Sequence, residues 1–132
     1  MVKGAPLLAP DGIVVAPSGT IYLTDRGTGE QGKVFKIEGT ALTVVVNQIH
    51  TGNPAGIGLS PDASLLLISA HQPNSSFDEV FLINLKTLQT GTVTKVVGQN
   101  TSTGGLHVSP GDPLVFSWCD TSGSVYRIRY PS

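Results

Sequence analysis

The chain has 132 residues, 39% of them apolar and 13% charged, with 16 glycines, 9 prolines and a formal net charge of −1. That length supports one domain with a real core, and the abundance of turn formers favours short strands over helices. No Lys/Arg cluster marks a nucleic-acid or anionic-membrane partner, no window approaches the roughly 18 apolar residues of a membrane span, and the lone Cys119 excludes an internal disulfide.

Residues 1–10 carry one lysine and no apolar run of signal-peptide length. From Gly12 the pattern becomes regular. Ile13 and Val15 alternate with neighbours of the other face, which predicts a strand, and Pro17-Ser18-Gly19 then supplies a fixed φ and a small residue for a reversal. Ile21-Tyr22-Leu23 is continuously apolar, as a strand covered on both faces requires. A third strand is predicted at Lys33-Val-Phe-Lys-Ile37 and a fourth at Leu42-Thr-Val-Val-Val46.

The same order then returns. Gly56 opens a segment that superimposes without gaps on the one from Gly12, and Gly105 opens another, so the starts lie 44 and 49 residues apart. Behind each comes a polar-Val-aromatic-x-Ile element, beginning at Lys33, Glu79 and Ser124 with spacings of 46 and 45. A fourth strand recurs at Thr92-Val-Thr-Lys-Val-Val97, and none follows the third copy, which runs to Arg129-Tyr130-Pro131-Ser132.

Repeated four-stranded units of this length predict an all-β fold, a β-propeller with three blades in one domain: blade 1 about residues 11–46, blade 2 about 55–97, blade 3 about 104–130 without its outer strand. Residues 2–8 are candidates to supply that strand, because Val2 stands to Ile13 as Val46 stands to Ile57. Closed propellers typically have four to eight blades, so three need completion, and a homodimer of six blades is the expected assembly. Half of a longer protein is the alternative.

The segments around Ile13 to Asp25 and Ile57 to Ser69 resemble the blade signature of the six-bladed NHL, SMP-30/gluconolactonase and strictosidine-synthase-like group. The resemblance spans nearly the whole chain and implies blade type more than activity, since this fold hosts hydrolases, lyases and binding proteins. In SMP-30-like hydrolases it implies an axial cation, often calcium, held in part by an Asn directly before the Gly-Ile of an inner strand. This chain departs from that pattern: the matching positions are Asp11, Ala55 and Gly104, so Asp11 is the one candidate metal ligand, with Asn53 two residues early.

A site is expected at the mouth of the axis, where the connections into the inner strands and the loops after the second strands meet. Asp11, Asn53, Asp25, Arg26, His71, Trp118 and Asp120 are the candidate ligand-binding residues, with His50, Glu30, Asn74, Asp78 and Thr103 in the same connections. Each has a plainer reading: Asp11 can cap a turn, Asp25 and Arg26 can stabilise their own loop, Trp118 can pack between blades, and His107 can face the channel or pack within a strand. No nucleophile elbow, phosphate loop or Cys-x-x-Cys is present. The favoured reading is a propeller that binds a small polar molecule or a peptide, with a metal-dependent hydrolase and a fragment without function of its own as alternatives.

Overall fold

The computed structural model describes residues 6–27, 32–49, 53–71, 77–97, 106–109, 115–119 and 125–129. All of their regular structure is β. The first sheet is an antiparallel meander of β1 (Pro10–Val15), β2 (Ile21–Asp25), β3 (Gly32–Glu38) and β4 (Ala41–Ile49). The second repeats that order with β5 (Asn53–Leu59), β6 (Leu65–His71), β7 (Phe77–Asn84) and β8 (Thr90–Val97). The third has three strands among the described residues, β9 (Leu106–Val108), β10 (Val115–Cys119) and β11 (Val125–Arg129). The inner strands lie side by side, β1 against β5 and β5 against β9, so the sheets fan out from them. The chain is an all-β, propeller-type structure, as the repeat predicts.

Two apolar layers hold the fan together. Between the first and second sheets, Val34, Leu66 and Ile68 are fully buried with Tyr22, Ile57 and Ile83. Between the second and third, Leu67, Val80 and Leu106 form a smaller core with Val108, Tyr126 and Ile128 packed on it. Alternation assigns the faces: Leu66 and Ile68 look back at the first sheet, and Leu67 between them looks forward to the third. A central sheet apolar on both faces explains the unbroken Leu65-Leu66-Leu67-Ile68 run.

Gly12 sets how closely the first two sheets approach. A Cβ there would stand 2.8 Å from Ile57 Cγ2 and 3.1 Å from Thr24 Oγ1, so only a glycine lets β5 settle against β1. The Thr24 hydroxyl meanwhile accepts the Gly12 N–H at 2.9 Å.

The hairpins differ from the ungapped repeat. They close at Val15↔Ile21, Leu59↔Leu66 and Val108↔Phe116, so each is one residue longer than the last. Ile13 therefore pairs with Leu23, whereas Ile57 pairs with Ile68, and the residue in the place of Tyr22 is Leu67. In the first turn Gly19 takes φ of +85°; in the second Ala63 takes +55°, a conformation costly for a residue with a Cβ. Asp62 holds that turn: its carboxylate accepts from the Ser60 hydroxyl at 2.6 Å, the Ser64 hydroxyl at 2.8 Å and the Ser64 amide at 3.1 Å. The extra residue reverses the face of everything behind it, which is why Tyr22 and Leu67, not Leu23 and Leu67, do the same job.

Of residues 2–8, only 6–8 are described, and they lie at the first sheet: the Leu8 amide donates to Asp25. The expected use of this segment as the third sheet's outer strand otherwise lies outside the described residues.

Two outcomes follow from this packing. Gly12→Ala loses about 1–3 kcal/mol of stability in chemical denaturation through overpacking, whereas Gly91→Ala, with open space around its Cβ position, loses none. The bonds from Ser60 first, and then from Ser64, hold the Asp62 carboxyl below its ordinary value. A depressed carboxyl contributes stability above the ordinary range that is lost as pH falls through its folded value; Asp62→Asn therefore flattens the acid side of the stability profile below about pH 4.

Candidate functional site

Fanning the sheets leaves a groove of about 510 Å³ along β1, β5 and β9. Its wall is mostly small or apolar, from Gly12 to Val15, Gly56 to Leu59 and Leu106 to Val108. His107 is the one ionisable side chain among the described residues of that wall, and it is exposed. Each inner strand has a sheet partner on one side only, so its other edge leaves backbone N–H and C=O groups unpaired by the sheet. The groove can therefore offer an imidazole and backbone hydrogen bonds against an apolar floor.

The residues expected at the mouth divide into two groups. Asp11, Asp25 and Arg26 come together at one end of the first sheet, where Pro10 pairs with Asp25. The Asp11 carboxylate lies 3.8 Å from the Arg26 guanidinium, with the two side chains 34% and 50% exposed, so the pair is worth at most about 1 kcal/mol. Asp25 differs from Asp11. It is 1% exposed, and its carboxylate accepts from Leu8 N at 2.8 Å, from Ala9 N at 3.1 Å and from Gly27 N at 2.6 Å. Arg26 N donates in turn to Ala9 O at 3.0 Å. Both oxygens are thus taken up in tethering residues 8 and 9 to the end of β2, the loop-stabilising role of the two the sequence left open. The second sheet has no counterpart, because register puts Ala70 where Asp25 stands.

Asn53 and His71 face each other as the last backbone pair of β5 and β6, at the corresponding end of the second sheet, and Asp78 on β7 pairs with His71. Trp118 lies on β10 between Leu106 and Tyr126. Topology therefore carries Asn53, His71 and Asp78 to the same rim as Asp11 and Arg26, whereas Trp118 stands by register in the place of Leu23 and Ile68, further along its strand. Asp120, Glu30, His50, Asn74 and Thr103 lie outside the described residues.

The axial calcium implied by the sequence resemblance does not fit the described residues. Asp25 has given its oxygens to backbone donors, Asp11 faces a guanidinium, and no three His, Cys, Asp or Glu groups among the described residues converge as ligands. Calcium takes six to eight oxygens. The sequence missed the Thr24 hydroxyl that fixes β1 and the groove wall itself; the burial of Asp25 had no signal beyond its place after an apolar strand.

No protein-family profile and no curated protein sequence matches the chain. Solved structures do match its fold. TolB from Acinetobacter baumannii superposes with a TM-score of 0.67 at 20% identity, over 96% of this chain and 30% of that one. A nidogen/laminin complex gives 0.63 at 18%, over 98% of this chain and 53% of that one, and a protein of gluconolactonase type gives 0.56 at 18%, over 98% and 51%. The chain thus spans about a third to a half of the chains it resembles, and the likeness is one of β-propeller fold.

The two carboxylates separate cleanly by experiment. Asp25→Asn turns one acceptor oxygen into a donor facing backbone N–H groups and lowers stability by about 1–3 kcal/mol, while Asp11→Ala stays within about 0.5 kcal/mol, both read by urea denaturation.

Proposed function

We propose that this chain forms half of a six-bladed propeller, two copies closing one ring, and that it binds a small polar molecule or a peptide segment in the axial groove. The observation that carries the reading is the groove of about 510 Å³, to which all three sheets contribute their inner strands. A volume of that order suits a small ligand, and an apolar wall with a few polar groups is the usual composition of a binding site. His107 and the open strand edges supply those polar groups, and Arg26, Asp11, Asn53, His71, Trp118 and Asp120 serve the mouth in this reading.

The rival is a metal-dependent hydrolase of the SMP-30 type. The matched structure of gluconolactonase type is the observation in its favour, and at 18% identity it speaks for the fold alone.

Amide NMR with a panel of monosaccharides, amino acids and tripeptides tests the proposal. Saturable shifts are expected at Gly12 to Val15, Gly56 to Leu59 and Leu106 to Val108, with affinity at least tenfold weaker in His107→Ala. Shifts confined to the outer strands, or no binding at millimolar concentrations, would overturn it. Calcium-dependent lactone turnover would replace it with the hydrolase.

A further inference from the structure

A second cavity, of about 150 Å³, lies between the first two sheets, walled by β2, β3 and β4 on one side and by the turn between β7 and β8 on the other. One cross-strand row builds its first wall. Val14 pairs with Tyr22, Tyr22 with Lys36 and Lys36 with Thr43. The row starts in the wall of the axial groove at Val14, and its outer three members line this cavity. Side chains paired in this way share one face and stand about 4.5–5.5 Å apart at Cβ. Val44, Leu85 and Leu88 supply the apolar remainder.

The same row of the second sheet reads Gly58, Leu67, Leu82 and Gly91, with no polar side chain. Covering a neighbouring sheet therefore needs none of the three donors that the first sheet places there. Tyr22 is 9% exposed within the core between the sheets, and among the described residues nothing hydrogen-bonds its hydroxyl. A buried phenol ordinarily has a partner, because leaving it unpaired forfeits its hydration without return. Lys36 has donors to spare, since its ammonium carries three N–H groups and meets Glu38 Oε2 at 3.0 Å. The Thr43 hydroxyl reaches Lys36 O across a long 3.5 Å, a contact it can exchange for a shorter one.

The opposite wall is held in place by its own hydrogen bonds. Leu85 N donates to Ser64 O at 2.9 Å and Leu88 N to Asn84 O at 2.7 Å, while the Asn84 side chain accepts from Lys86 N at 3.0 Å and Thr87 N at 3.1 Å. Leu88 holds φ of +59°, a region that Gly39 takes in the corresponding turn of the first sheet. Leu88 is 52% exposed and Val44 47%, so the apolar edge of the cavity stands open to solvent.

We infer that this cavity binds a short-chain monocarboxylate. The carboxylate takes hydrogen bonds from the Tyr22 hydroxyl, the Lys36 ammonium and the Thr43 hydroxyl, and the alkyl chain covers Val44 and Leu88. Three donors in one row, with no carboxylate among the lining residues, select an anionic acceptor over a cation or an amine. A cavity near 150 Å³ accommodates a molecule of about benzene's size, which butyrate matches in its non-hydrogen atoms. The site is separate from the axial groove and does not depend on how many copies form a ring.

Titration of the whole chain with butyrate, followed by amide and methyl NMR, tests the assignment. Saturable shifts are expected at Tyr22, Lys36, Thr43 and Leu88, half-complete below about 10 mM, as suits so small a ligand. Acetate, two methylenes shorter, should bind about tenfold more weakly, and so should the neutral butyramide. Tyr22→Phe keeps the ring, so the urea midpoint of the free protein should hold or rise while butyrate weakens about tenfold. Lys36→Gln should weaken butyrate as much and abolish its preference over butyramide. Lys86→Gln, at an exposed lysine of the same turn outside the lining, should leave the affinity unchanged. Absence of saturable shifts at these positions, shifts at the axial groove in their place, or equal binding of butyramide by the unaltered chain would overturn the site. A lower urea midpoint in Tyr22→Phe would overturn it as well, because the hydroxyl would then already be bonded within the fold.

Discussion

The second sheet of this chain has two apolar faces, and that single constraint governs the rest. A sheet with one apolar face can stop at solvent; one with two must be covered twice, at roughly 1.5–3 kcal/mol for each large side chain removed from water. The second sheet satisfies this fully, with Leu66 and Ile68 covered by the first sheet and Leu67 and Val80 by the third. On the first sheet Ile13 and Val15 stand exposed while Leu23 and Phe35, in register with Ile13, are buried, and on the third Val125 stands exposed with His107 and Arg127. Stacking by covering faces is also what creates the groove, since it holds three inner strands side by side with their open edges toward a common axis.

Close approach at the inner strands is the second requirement, and it depends on small residues and hydrogen bonds rather than bulk. Gly12 lets Ile57 in, and Thr24 and Asp25 fix the start of β1 and the segment before it by accepting backbone N–H groups that have no sheet partner. Removing such an acceptor leaves a buried donor unsatisfied, a larger effect than any surface ion pair at the same rim. The acidic residue with the strongest anchoring among the described residues is thus committed to the fold, and Asp11 and Arg26 remain exposed at the rim.

Much of the architecture was legible in the sequence because a propeller blade writes itself in periodicity. The alternation at Ile13 and Val15, the unbroken apolar run from Leu65 to Ile68 and the recurring Val-aromatic-x-Ile element each located a strand, and the strand order followed. What an ungapped repeat hid was the lengthening of the hairpins, since one added residue, held by Asp62 and an alanine at positive φ, leaves the residue types aligned while exchanging the faces of the strand behind it. The groove was legible as a location and not as a surface. Asp25 read as a site residue because a carboxylate at a strand end looks the same in sequence whether it faces ligand or three backbone amides.

The proposed function places two copies of the chain in one ring, and the solution mass is its most direct test. Sedimentation equilibrium at micromolar concentration should return twice the 13.7 kDa of one chain. A mass of 13.7 kDa across that range would contradict the proposal that two copies close one ring.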